Sequence, residues 1–256
     1  MPPLHPLPPE WVVTFATLNG VGSVGFLLTV ALTYRYFEDK AEAALETDYE
    51  KSEVLLHNIL PVPLAERLKQ NPDVIADSHS SVTILFSDIV GFTRLTGRLD
   101  PEQLVTLLNK VFSRFDTLAE ELGLEKIKTL GDAYLVVAGL PEPREDHAAA
   151  VARMALAMLT ATEEGARESG EALQIRIGIH SGAVVAGVIG QKKFAYDLWG
   201  DKVNIAARME SHGVPGRIQV SRYTADLLGD DFALEPRGEI EVKSKGAMDA
   251  FFLNAK

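Results

Sequence analysis

The chain contains no cysteine. That absence excludes disulfide staples, thiolate nucleophiles and every metal centre built on cysteine ligands. It suits a reducing compartment. Basic residues are also scarce: 25 Lys and Arg stand against 36 Asp and Glu, for a formal net charge of −11. Such a chain has no field with which to hold a phosphate backbone nonspecifically, so nucleic acid is not an expected partner. A small phosphate-bearing ligand needs only a local cluster of Lys and Arg and is not excluded. No internal repeat is present. What remains is globular in composition, with 46% hydrophobic and 24% charged residues over 256 positions. That is enough for one domain with attached segments, or two small domains.

Residues 11–34 lack charge altogether. About 20 apolar residues span a bilayer as a helix. Trp11 at one end, and Tyr34 and Tyr36 at the other, suit the two interfaces. No Lys or Arg precedes the stretch, while Arg35 and Lys40 follow it. The positive-inside bias therefore puts the C-terminal bulk in the cytoplasm. The basic start and short apolar stretch of a signal peptide are both missing. A buried helix of a soluble protein is the competing reading. Gly20, Gly22, Ser23 and Gly25 form a run of small side chains that another helix can approach closely.

Residues 37–60 carry seven acids and two lysines, so they belong in water. Leu45, Tyr49, Leu56 and Ile59 fall on one helical stripe, as in a short coiled coil. Pro61 and Pro63 end it. The expected organisation is an N-terminal segment 1–10, a transmembrane helix 11–36, a helical linker 37–63, a further linker 64–79, and one domain over 80–256. The stretch QNPDVIADSHS, residues 70–80, reads as the boundary.

From Ser81 onward, strand and helix signals alternate. Residues 82–86 are a short apolar run, consistent with a buried strand. Residues 101–122 have helical apolar spacing, with Asp100 as cap, Pro101 in the first position and Gly123 as stop. Residues 125–130 and 133–138 read as strands around Gly131-Asp132. Residues 147–164 form an alanine-rich helix. Ile175, Ile177 and Ile179 alternate as a half-buried strand. Residues 184–188 are expected to pair with it across a Ser181-Gly182 turn. Residues 202–210 are helical, 218–220 extended, and the C-terminal end strand-like. The pattern predicts an α+β or α/β sandwich, with helices covering one face of a mostly antiparallel sheet.

Within this frame, two aspartates can converge. Asp88 follows the strand 82–86 in FSDIVGFT, and Asp132 lies in the hairpin turn of KTLGDAY. Two carboxylates together with substrate phosphates are how proteins hold Mg²⁺. The spacing fits two ordinary turn residues equally well. From Ile89 through Gly91 to Phe92 and Thr93, the chain turns from strand to helix, and backbone amides at such a turn can cradle phosphates. In YDLWGDKVNIAARME, Asn204 and Arg208 are four apart and share one helical face. An amide and a guanidinium there suit a ribose and a phosphoryl group; a solvated surface pair fits the same spacing. His180 reads as a structural strand-end residue, Trp199 as packing, and Lys192 and Lys193 as a solvated loop.

FSDIVGFT, KTLGDAY, RIGIHSG, YDLWGDKVNIAARM and VKSKG occur in the order and spacing of the catalytic domain of class III adenylyl and guanylyl cyclases, which the chain resembles over residues 80–255. The resemblance implies a ferredoxin-like βαββαβ-type domain. It implies two divalent ions per site, Mg²⁺ or Mn²⁺, on Asp88, Asp132 and the backbone carbonyl of Ile89. It places purine reading on Lys128 and Asp197, and transition-state contacts on Asn204 and Arg208. The triphosphate lysine falls on Lys245, with Lys243 as the alternative, because Ser244 stands where the family has glycine. Lys128 donates and Asp197 accepts, which matches adenine N1 and the 6-amino group. Guanylyl cyclases of the family place Glu and Cys there. The implied activity is conversion of ATP to 3′,5′-cyclic AMP and pyrophosphate. The family builds each site between two catalytic domains, and this chain carries both residue sets, so a homodimer is implied. A guanylate cyclase and a non-catalytic nucleotide-binding module are the alternatives. The GG(D/E)EF signature of diguanylate cyclases is absent.

Overall fold

The computed structural model describes residues 8–70, 75–190, 193–242 and 245–256. The chain divides into two compact units, Met1–Ile59 and Leu60–Lys256. The first contains one continuous helix, α1 (Pro9–His57), with no buried residue. It is long and apolar enough over part of its length to cross a membrane.

The second unit runs α2 (Val62–Gln70), β1 (Ile75–Ile89), α3 (Phe92–Thr96), α4 (Pro101–Glu121), β2 (Glu125–Leu130), β3 (Ala133–Ala138), α5 (His147–Ser169), β4 (Ile175–Ile189), β5 (Ala195–Trp199), α6 (Asp201–Ser211), β6 (Ile218–Ser221), α7 (Arg222–Leu228), a short 3₁₀ turn, β7 (Ala233–Val242) and β8 (Gly246–Asn254). Within the expected linker over 64–79, the described residues belong to α2 and β1. Leu64 and Ala65 of α2 are buried, and Arg67 forms an ion pair with Asp77 of β1. β1 begins at Ile75, seven residues before the apolar run. Its polar start escapes an apolar-run criterion because alternate residues there face solvent.

The strands form one sheet in the order β2-β3-β1-β4-β6-β8-β7, with β5 also on β4. Every pairing is antiparallel except β4 with β6. β1 and β4 pair from Ile75↔Val188 to Ile89↔Ile175, with a register shift at His79/Val82. This overturns the expected hairpin at Ser181-Gly182: residues 175–189 are one strand, paired along its length with β1. Ser181 is fully buried and hydrogen-bonded to Thr83 at 2.7 Å. Gly182 is required by packing rather than by a turn, since a Cβ there would lie 2.8 Å from the Lys202 side chain of α6.

Ile175, Ile177 and Ile179 share a core with Leu85 and Ile89 of β1 and with α4 and α5 side chains such as Phe115 and Met154. Alternate residues face the other way. A Cβ on Gly178 would sit 1.9 Å from the Glu210 backbone nitrogen, so α6 lies directly on that opposite face. α4 begins as the sequence predicts, with Pro101 at its first position and the Asp100 amide donating to Gln103 Oε1 at 3.2 Å.

Candidate active site

Asp88 is the penultimate residue of β1 and stands opposite Ala133 at the start of β3. Gly131, at φ 66°, turns the β2–β3 hairpin and delivers Asp132 beside Asp88. Asp132 immediately precedes Ala133, the register partner of Asp88. Burial, and then the charge of Asp88, hold the Asp132 carboxyl above the usual carboxylate range. Two converging, mutually repelling carboxylates with no nitrogen or sulfur ligand are a donor set that fits a hard divalent cation. Ile89 follows immediately, its side chain fixed in the core. Gly91, at φ 72°, then turns the chain so that Phe92 and Thr93 open α3.

Across the sheet, Arg176 of β4 is the register partner of Asp88. Its Nη2 donates to Asp88 Oδ2 at 2.8 Å, and its Nε lies 3.3 Å from Glu210 Oε1 at the end of α6. Burial first, and then the charge of Asp88, push the Glu210 carboxyl up to about 7. Sequence reasoning missed Arg176 and Glu210. The usable signal was Arg176 on the polar side of an alternating strand, but its partner follows only from the β1–β4 register.

Lys128 and Asp197 form a half-buried ion pair through Nζ and Oδ2. Lys128 follows a register shift in β2, and Asp197 sits in β5 opposite Gly187. The other oxygen, Asp197 Oδ1, accepts the Leu198 amide at 2.9 Å, which fixes the carboxylate plane. A donor and an acceptor thus stand side by side.

Asn204 and Arg208 both face a cavity of about 520 Å³, lined also by Asp201, Glu210 and Lys245. Among the described residues nothing pairs with the Asn204 amide or the Arg208 guanidinium. Lys245 sits at the turn between β7 and β8 and forms an ion pair with Asp201, the first residue of α6. Asp88 and Asp132 do not line this cavity. Lys243, the alternative lysine, and Lys192 lie outside the described residues.

Lys193 is exposed, as expected. His180 is not at a strand end. It lies inside β4, is buried, and its Nδ1 is 2.7 Å from Ser221 Oγ. Burial, reinforced by Lys202, pushes its imidazole down to about 4. Trp199, expected to pack, is 36% exposed.

The adenylate and guanylate cyclase catalytic domain model matches residues 74–255, a range that contains every one of these groups. An adenylate cyclase of Mycobacterium tuberculosis is 42% identical over 257 residues, covering 99% of this chain and 58% of that protein. The receptor-type guanylate cyclase gcy-28 of Caenorhabditis elegans is 46% identical over 208 residues, covering 80% of this chain and 16% of its own length. The chain therefore spans little more than half of the one relative and a small part of the other. The guanylate cyclase domain of RhGC from Catenaria anguillulae, solved with GTP, superposes with a TM-score of 0.67 at 37% identity, covering 70% of this chain and 99% of that domain. The mixed sheet with its helices is thus a known catalytic fold, and the chain belongs to the family of adenylate and guanylate cyclase catalytic domains.

Proposed function

We propose that this chain is an adenylate cyclase that converts ATP to 3′,5′-cyclic AMP and pyrophosphate, working as a homodimer with shared sites. The observation that carries the choice of ATP is the Lys128–Asp197 pair. Adenine offers an acceptor at N1 and a donor at its 6-amino group, and these two side chains supply the complement. Guanine reverses that pattern, and a mismatch would leave buried polar groups unpaired. The ion pair between Lys128 and Asp197 opens to admit the base edge, so each partner exchanges one hydrogen bond for another.

The reaction is attack of the ribose 3′-oxygen on the α-phosphorus, with pyrophosphate leaving. Asp88, Asp132 and the Ile89 carbonyl would hold two divalent cations, Mg²⁺ or Mn²⁺, which when bound acidify the 3′-hydroxyl and offset charge on the phosphate tail. Arg208 meets the charge that builds on the α-phosphoryl oxygens. Asn204, one turn earlier on the same face, orients the ribose. Lys245 holds the phosphate tail, and the amides of Phe92 and Thr93 lie against it. No protein base is assigned.

Two features support assembly from two copies. The cavity around Asn204 and Arg208 does not include Asp88 or Asp132. The edge where β2 neighbours β5 also leaves Leu130, Ile189, Phe194 and Trp199 exposed, as an interface between copies would require. The apolar part of α1 is the proposed membrane anchor, with the catalytic unit cytoplasmic. Deleting residues 1–36 should release a protein soluble without detergent, and full-length chain that is already soluble would refute the anchor.

The test of function is to incubate purified protein with ATP or GTP plus Mn²⁺ or Mg²⁺ and identify the product. Cyclic AMP formed faster than cyclic GMP supports the reading. Faster turnover of GTP favours a guanylate cyclase, and no cyclic product with either favours a non-catalytic nucleotide-binding module.

A further inference from the structure

The cavity beside α6 contains a charge arrangement that the cyclisation chemistry does not call for. Asp201 opens α6 and lines this cavity together with Asn204, Arg208 and Lys245. Its partner is Lys245, held at the β7–β8 turn, where the Lys245 amide also donates to the Val242 carbonyl at 2.9 Å. Arg208 has no such partner among the described residues. Of the two cations lining the cavity, one is therefore open and the other carries a counter-charge. Asp201 is the acid in the first turn of the helix. Its side chain is 55% exposed and that of Lys245 is 40% exposed. An ion pair that wet is weak and salt-screened, and a dense polyanion can displace it.

Resting on the cyclase reading above, we propose that Asp201 is a competing counter-charge that occupies Lys245 in the free site and must be displaced by the triphosphate. The carboxylate therefore raises the KM for nucleotide. It acts in both directions of the cycle. A triphosphate or pyrophosphate brings several charges to Lys245 and outcompetes one carboxylate. A cyclic monophosphate brings a single charge and does not. Once the leaving group departs, Asp201 recaptures Lys245 and disfavours its return. Asp201 is a positioning residue in this scheme, because it acts on substrate through Lys245.

The test compares full-length wild type with Asp201→Asn, Asp201→Glu, Lys245→Gln and the double variant Asp201→Asn/Lys245→Gln. Two readouts are taken: KM and kcat for ATP, and calorimetric binding of inorganic pyrophosphate. Asp201→Asn is expected to lower KM for ATP about two- to five-fold, with a smaller change in kcat, and to tighten pyrophosphate binding by a similar factor. A fivefold change corresponds to about 1 kcal/mol. Asp201→Glu keeps the charge and should restore the wild-type KM. Lys245→Gln should raise KM, and adding Asp201→Asn to it should change little. An unchanged or raised KM with unchanged pyrophosphate binding in Asp201→Asn would overturn the proposal. So would an equal gain in the Lys245→Gln background, because Asp201 would then act by general repulsion rather than through Lys245. If wild type makes no cyclic nucleotide, the cyclase reading fails, and pyrophosphate binding still decides the competition.

Discussion

Arg176 stands directly across the β1–β4 pairing from Asp88, and its guanidinium donates to the Asp88 carboxylate at 2.8 Å. It is the cation that makes two adjacent carboxylates tolerable in a half-buried site. Among the described residues it is the cation paired with Asp88, and its charge also favours the ionised form of Asp132. Arg176→Met is therefore expected to destabilise the metal-free protein by about 2 kcal/mol, the scale of a hydrogen bond between charged groups. Saturating Mn²⁺ should recover most of that loss. Asp132→Asn should do the opposite: it removes repulsion and raises metal-free stability, while abolishing turnover. Thermal denaturation with and without Mn²⁺ reads both. A neutral effect of Arg176→Met in the absence of metal would show that the pair contributes nothing.

The second prediction concerns the base. Lys128→Glu combined with Asp197→Cys should erode the preference for ATP over GTP, measured as the ratio of kcat/KM values. Each single change leaves one mismatched polar group and should cost about tenfold or more with ATP. Unchanged selectivity in the double variant would mean that the base is read elsewhere.

A third prediction follows from His180. Its imidazole is pushed down from 6.5 to about 4 in the folded chain. A depressed folded-state value means that the unfolded chain takes up the proton more readily. The associated stability is present above pH 6.5 and is lost as pH falls towards 4, amounting to about 3 kcal/mol across that window. His180→Asn should flatten the fall in thermal stability between pH 6.5 and 4 relative to wild type, whatever it does at neutral pH. Parallel pH profiles for the two proteins would rule out His180 as a source of acid sensitivity.

What the sequence revealed, and what it hid, divides by the range of the interaction. The local placement of Asp88, Asp132, Asn204 and Arg208 was legible because each depends on its own strand end, hairpin turn or helix turn. α4 was legible because cap, first-turn proline and apolar spacing agree over 21 residues. The long β4 was not, because Ser181-Gly182 carries a turn signature locally. Gly178 and Gly182 are there to let α6 approach the sheet, and nothing in residues 175–189 alone says so. Arg176, Glu210 and Asp201 were invisible for the same reason: their partners lie 88, 34 and 44 residues away in sequence, through cross-strand register, the packing of α6 and a distant hairpin turn.

The final prediction tests the shared site. Asp88→Ala and Arg208→Ala should each abolish activity as homodimers, because every site is damaged. In a mixed dimer both lesions can fall in one site. The other then takes its carboxylates from the Arg208→Ala chain and its arginine from the Asp88→Ala chain, and is intact. Random pairing makes about half of the dimers mixed, each with one good site of two, so about a quarter of wild-type activity should return on co-expression. That fraction holds for independent sites and equally stable dimers. Co-expression is preferable to mixing, because α1 can slow exchange of chains. Differently tagged chains purified in sequence isolate the mixed dimer, which should then show about half of wild-type activity per dimer. If isolated mixed dimers are inactive, the carboxylates and Arg208 do not meet across an interface. The 520 Å³ cavity on one chain would then have to close onto Asp88 and Asp132 of that same chain. That closure would have to run through Arg176 and Glu210, the link between Asp88 and the end of α6.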